Sequence, residues 1–136
     1  RTPKFWKTEK ALREKALDLL SIFHLEGKAD AIASSLPYGQ QRKLEITRAL
    51  ATDMKLLLLD EPAAGMNPTE TAELLECINA IRNRFGIAIL LIEHDMSLVM
   101  NVCERIQVID YGITIAHGLP EEIAKDPKVI AAYLGE

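Results

Sequence analysis

The stretch between residues 56 and 92 restricts the architecture more than any other part of the chain. Leu56 to Leu59 is a short, uninterrupted apolar run, and Ile87 to Ile92 is a second. Runs of this kind suit strands covered on both faces of a sheet. Between them, Asn67-Pro68-Thr69-Glu70 supplies an N-cap, a proline at the first helical position and a capping-box glutamate. Leu74, Ile78, Ile81 and Phe85 follow at the spacing of one buried helix face, and Gly86 provides a C-terminal stop. Strand, amphipathic helix and strand in that order read as a right-handed βαβ unit of a parallel sheet. The chain is therefore of the α/β class.

The flanking segments add helices and one hairpin. Apolar residues at Leu12, Ala16, Leu19 and Phe23 predict a helix from about Thr8 to Phe23. Gly27 ends that unit, and Ala29 to Ala33 is expected to add a short second helix. Ser34 or Ser35 can cap the next helix, with Pro37 in its first turn, over about Tyr38 to Ala51. Asp95 can cap a helix from Met96 to Val102. Ile106 to Ile109 and Ile113 to Ala116, joined through Asp110-Tyr111-Gly112, read as an antiparallel hairpin at the sheet edge. Pro120 and Asp126-Pro127 open two short closing helices.

With 136 residues, 49% of them hydrophobic, the chain fits one domain or a large piece of one. A net charge of −4 gives no general attraction to phosphate polymers, which argues against nucleic-acid binding. No apolar stretch approaches the roughly 18–20 residues that span a bilayer. Cys77 and Cys103 lie in apolar helical patterns and are expected to be reduced and buried, as in a cytosolic protein.

Both predicted parallel strands end in polar groups: Asp60-Glu61 on the first and Glu93-His94 on the second. Ligands of open α/β sheets bind beyond the carboxyl ends of the strands. Paired strands lie about 4.8 Å apart, so these groups can converge if the two strands are neighbours. Asp60 offers a hard oxygen suited to magnesium, and Glu61 can polarise an attacking water. His94 can donate to a terminal phosphate or orient that water. Carboxylates directly after a buried strand are costly to desolvate, which favours a chemical role over loop solvation. For His94 taken alone, loop solvation is the better reading, and Glu93 has no case beyond a salt bridge. Gly39 and Gln40 open a helix whose first amides can receive an anion, and glycine permits close approach to the backbone. Taken alone, the same residues make an ordinary loop-to-helix junction. Arg42, Lys43 and Arg48 read as a solvated helix face, and Asn67 has a sufficient structural task as N-cap.

Together these segments resemble the ATP-binding-cassette ATPases over nearly the whole chain. Leu36-Pro37-Tyr38-Gly39-Gln40 resembles the signature motif, Leu56 to Glu61 Walker B, Ala63 to Asn67 the D-loop, and His94 the switch histidine. The wording Asp-Glu-Pro-Ala-Ala-Gly-Met-Asn-Pro, Ile-Glu-His-Asp-Met and Ala-Tyr-Leu-Gly-Glu is most similar to ATP-binding subunits of branched-chain amino-acid importers. The resemblance implies a P-loop NTPase-like three-layer fragment with a parallel sheet, flanking helices and a C-terminal β-hairpin. Residues 1–36 would belong to the helical signature subdomain and residues 37–136 to the C-terminal part of the core. It further implies ATP and Mg2+ as ligands, with Asp60 on the metal, Glu61 as general base and His94 on the γ-phosphate. Leu36, Pro37, Tyr38, Gly39 and Gln40 would meet the nucleotide held by a second ATPase subunit, and Asn67 would lie at that interface. Transmembrane permease subunits would dock on the helical subdomain, placing the protein in the cytoplasm, peripherally on the inner membrane face.

The chain departs from the family pattern in three ways. Pro37 and Tyr38 replace the serine and first glycine of the common signature, and Asn67 stands where aspartate is usual. None of the seven glycines begins a Gly-x-x-x-x-Gly-Lys-Ser/Thr phosphate cradle. The Walker A strand and N-terminal β-subdomain thus have no counterpart, nor do the adenine-stacking aromatic and the Q-loop glutamine. The chain is expected to begin inside the helical subdomain and to be non-catalytic by itself. Its Ile87–Ile92 strand is expected to expose an apolar edge, a pairing liability. A non-catalytic interaction module, or the cassette of a soluble protein, are the other readings.

Overall fold

The computed structural model describes residues 2–134 and divides into two compact units, Arg1–Leu90 and Leu91–Glu136. In the first unit, α1 spans Pro3–Ser21, α2 Tyr38–Leu50, β1 Leu56–Asp60 and α3 Pro68–Phe85. Strand β2, Ala88–Ile92, follows and pairs with β1, so β1–α3–β2 is the expected parallel crossover. The second unit holds α4, Met96–Val102, then β3, Ile106–Asp110, β4, Ile113–Gly118, α5, Pro120–Ile123, and α6, Pro127–Leu134.

Local signals in the sequence account for most boundaries. Thr2 caps α1 by accepting from the Phe5 amide. Asn67 accepts from Glu70 N–H while Glu70 accepts from Asn67 N–H, both at 3.0 Å, and together they open α3. Gly86 closes α3 in the left-handed region, at φ 59°. Asp95 accepts from the Ser97 and Leu98 amides to start α4. The hairpin turns through Tyr111 and Gly112, both at positive φ, a pair matched to the right-handed twist of two-residue loops.

The core of the first unit gathers Leu19, Phe23, Ile46, Leu50, Leu57, Leu59, Leu74, Ile78 and Ile81. In the second unit Leu98, Ile123 and Val129 are buried, and α5 and α6 pack against β4.

Several expectations need correction. Leu12, 63% exposed, and Ala16 lie in solvent, so α1 buries only the Leu19–Phe23 end of its stripe. Residues 29–33 form no α-helix; two short 3-10 turns, Glu26–Lys28 and Ala33–Ser35, carry the chain there. Neither Ser34 nor Ser35 caps α2: Pro37 occupies that position without a side-chain bond, and Ser35 donates its hydroxyl to the Ile32 carbonyl. Phe85 is partly exposed, and Cys77 takes a place in the buried face of α3. Neither cysteine is in a disulfide among the described residues, but Cys103 is only half-buried, at the end of α4. Strand β1 is covered on one face only, since Leu56 and Leu58 are exposed while Leu57 and Leu59 are buried. The β3–β4 hairpin forms its own two-stranded sheet and does not extend the β1–β2 pair.

Lys43 also departs from the solvated face assigned to it. It is 6% exposed, and its ammonium meets the Glu73 carboxylate at 2.6 Å, tying α2 to α3. Burying a lysine is tolerated when the charge is paired. The hydrogen bond from Lys43, with its charge, holds the Glu73 carboxyl below the usual carboxylate range. A depressed carboxyl contributes stability above its unfolded value and loses it as pH falls through the folded one. Denaturant midpoints should therefore fall on acidification below the ordinary carboxylate range. Glu73→Gln should remove that share of the slope while costing stability at neutral pH. An unchanged acid slope in Glu73→Gln would assign the effect elsewhere.

Candidate functional site

The amino-terminal turn of α2 and the loop after β1 meet within the first unit. Leu36 is buried, and its carbonyl accepts from Gln41 Nε2 at 2.8 Å, which anchors the entry to the helix. Pro37 is extended at φ −54°, ψ 150°, and its carbonyl accepts the Gln41 amide at 3.0 Å. No side chain caps this 13-residue helix. Its first amides and the helix dipole thus make an electropositive end. Gln40 brings a further feature: its Oε1 is buried and accepts no hydrogen bond among the described residues. An orphaned acceptor of this kind calls for an O–H or N–H donor.

Gly39 has a neighbour that its sequence context did not suggest. Its missing side chain leaves room for Glu70, whose Oε1 would stand 2.9 Å from a Cβ built there. The same carboxylate accepts from Asn67 N–H through Oε2. Tyr38, 48% exposed, lays its ring against Gly65, where an added Cβ would sit 3.2 Å from Cε1. The Tyr38 hydroxyl accepts from Arg42 Nε at 2.9 Å, and the guanidinium lies 5.2 Å from the ring centroid. Glu45, 2.9 Å from Arg42, and Tyr38 hold that guanidinium above its ordinary value.

Asp60 ends β1 and is exposed. With Arg42, Glu45, Leu58 and Pro62 it borders an open cleft of about 190 Å3 beside α2. Glu61 follows at φ 42°, a left-handed conformation that costs a non-glycine residue about 1 kcal/mol. Its carbonyl accepts the Ala64 amide at 3.1 Å, and the Met66 amide then donates to Ala63, so residues 61–67 wind tightly before Asn67. His24, Asp53 and Tyr111 share this left-handed φ; Tyr111 also follows a strand-end aspartate, and Glu61 is the one carboxylate that does so.

His94 lies in the second unit, two residues beyond β2, and is exposed. Its backbone N–H donates to the Glu93 carboxylate at 3.3 Å. The first unit thus holds Leu36–Gln40, Asp60, Glu61 and Asn67, with Tyr38 against Gly65 and Glu70 against Gly39, while His94 belongs to the second. Sequence reasoning missed Gly65 as a contact of Tyr38, and it gave Glu70 only a capping task. The signal for Glu70 was present in its capping-box spacing, but nothing local indicates that its second oxygen reaches Gly39.

Among the described residues no group of three or more metal-ligating side chains occurs, and no helix is long and apolar enough to cross a membrane.

Comparison with known proteins gives a consistent picture. Residues 3–64 match a family model described as ABC transporter. Residues 114–136 match one described as branched-chain amino acid ATP-binding cassette transporter. The high-affinity branched-chain amino acid transport ATP-binding protein LivG of Escherichia coli is 48% identical over all 136 residues, which cover 53% of its length. BraF of Pseudomonas aeruginosa, described in the same words, is 46% identical over the same span and share. The chain therefore spans about half the length of the curated relatives it matches. Among solved structures, the ADP conformation of MJ1267, an ATP-binding cassette of an ABC transporter, superposes with a TM-score of 0.82 at 33% identity. That match covers 93% of this chain and 51% of the other. A nucleotide-free cassette from an ABC transporter gives 0.77 at 30% identity, over 100% of this chain and 58% of the other.

Proposed function

The chain belongs to the ATP-binding-cassette transporter family, and we propose that it forms the C-terminal part of a subunit that hydrolyses ATP to drive import of branched-chain or related amino acids. The observation that carries this reading is a left-handed glutamate directly after a strand-end aspartate, in the same unit as an uncapped helix start. In this reading Glu61 is the general base that takes a proton from the attacking water. His94 contacts the γ-phosphate, and residues 36–40 meet the nucleotide held by a second subunit, with the backbone amides of Tyr38, Gly39 and Gln40 as donors. Asn67 lies at the interface between the subunits.

The residues present fit magnesium in a limited sense. Asp60 offers a hard carboxylate oxygen and no group of three ligating side chains occurs among the described residues, so Asp60 would hold the ion together with phosphate and water. Such an ion, when bound, neutralises charge developing on the phosphoryl oxygens. Residues 1–36 would form part of the helical subdomain on which transmembrane permease subunits dock, and residues 37–136 part of the core. The protein would then lie in the cytoplasm against the inner membrane face.

The deciding measurement is ATP turnover by the complete subunit carrying Glu61→Gln. A second measurement uses this chain alone, which has no glycine-rich phosphate cradle. Equilibrium dialysis should find no saturable Mg-ATP binding by it at micromolar concentration. Micromolar affinity that disappears with Asp60→Ala would show that the β1 end binds nucleotide unaided.

A further inference from the structure

We infer that Tyr38 on Gly65 and Glu70 on Gly39 form a two-point latch that makes the first turn of α2 and the loop of residues 61–67 move as one body. The two contacts run in opposite senses. At one, a side chain of the α2 turn rests on a loop glycine; at the other, a side chain of α3 rests on a glycine of the α2 turn. A Cβ built at Gly65 would stand 3.2 Å from Tyr38 Cε1 and one at Gly39 2.9 Å from Glu70 Oε1, so the side-chain end would have to shift in each case. Gly65 is doubly constrained, because its φ of 76° disfavours any L side chain. Glu70 serves both ends: one oxygen accepts from Asn67 at the close of the loop, and the other lies against Gly39. On its far side, Tyr38 is held by Arg42, which Glu45 holds in turn.

The consequence rests on the ATPase reading above. Residues 36–40 would face one nucleotide and Glu61 another. A rigid connection would shift the general base at one site when the α2 turn closes on the other. Tyr38 and Glu70 are positioning residues in this scheme. Small displacements of a reacting group can cost about a hundredfold in rate, so loosening the latch should lower turnover without altering ground-state affinity.

The test uses the complete subunit and compares Glu70→Ala with Glu70→Gln. Glutamine keeps the shape and the capping acceptor, whereas alanine removes both contacts. Glu70→Ala should lower kcat about tenfold with KM for ATP little changed, and Glu70→Gln should restore most of it. Equal losses in both variants, or wild-type kcat in Glu70→Ala, would overturn the latch. Should Glu70→Ala not fold, the second arm decides: amide exchange at Gln41 and Arg42 in the complete subunit carrying Gly65→Ala. Exchange there should accelerate about tenfold while residues 74–81 of α3 stay protected, and much less so when Tyr38→Ala is already present. Unchanged exchange, or the same acceleration in both backgrounds, refutes the coupling. Glu61→Gln is run alongside. Undiminished hydrolysis in that variant would remove the ATPase reading, while the exchange arm would still judge the latch.

Discussion

Replacing Glu61 by Gln in the complete subunit is expected to lower ATP turnover by about two to four orders of magnitude, the usual range for loss of a general base. The substitution keeps side-chain shape while removing the negative charge and the ability to accept a proton. Glu61 stands at φ 42°, its carbonyl accepts the Ala64 amide, and glutamine can adopt the same backbone. Thermal melting of the variant checks that the fold is retained. With chemistry blocked and phosphate recognition intact, the variant should accumulate as an ATP-bound pair of subunits, visible by size-exclusion chromatography. Hydrolysis at the wild-type rate would take Glu61 out of the reaction.

The second large effect is on stability. Leu74 is fully buried in the middle of α3. Removing its branched end should cost about 2–5 kcal/mol, the range for leucine-to-alanine changes in a packed core. A domain with about 5–15 kcal/mol in total would lose much of its margin. The urea midpoint of Leu74→Ala should fall steeply. Leu58→Ala, on the exposed face of β1, should move it far less. Similar shifts for the two would mean that the exposed face is not exposed in solution.

Elements marked by local chemistry were legible in the sequence. Asn67, Pro68, Glu70 and Gly86 define α3 without any knowledge of its surroundings, and its observed bounds follow from them. Tyr111-Gly112 does the same for the hairpin. Side-chain destinations set by distant parts of the chain were not legible. Lys43 looks solvated along its own helix and becomes buried because Glu73 lies across from it. Leu12 fits a helical stripe, but the packing that covers Leu19 does not reach one end of α1. In the site, the strand-end carboxylates and the helix-opening glycine were evident from position alone. The use made of that glycine by Glu70, and the left-handed turn at Glu61, arise from the tertiary arrangement.

The alternation along β1 carries a last implication. Its four consecutive leucines give pairing no means of telling one residue from the next, since any leucine fills an inward position as well as another. Sliding the strand so that residue 60 took the inward place of Leu59 would force a carboxylate into hydrocarbon, at a cost of several kcal/mol. Lys55 marks the opposite end, where its carbonyl accepts the Ala88 amide at 3.0 Å. Asp60 thus opposes that slip, and its replacement by an apolar residue would remove the penalty.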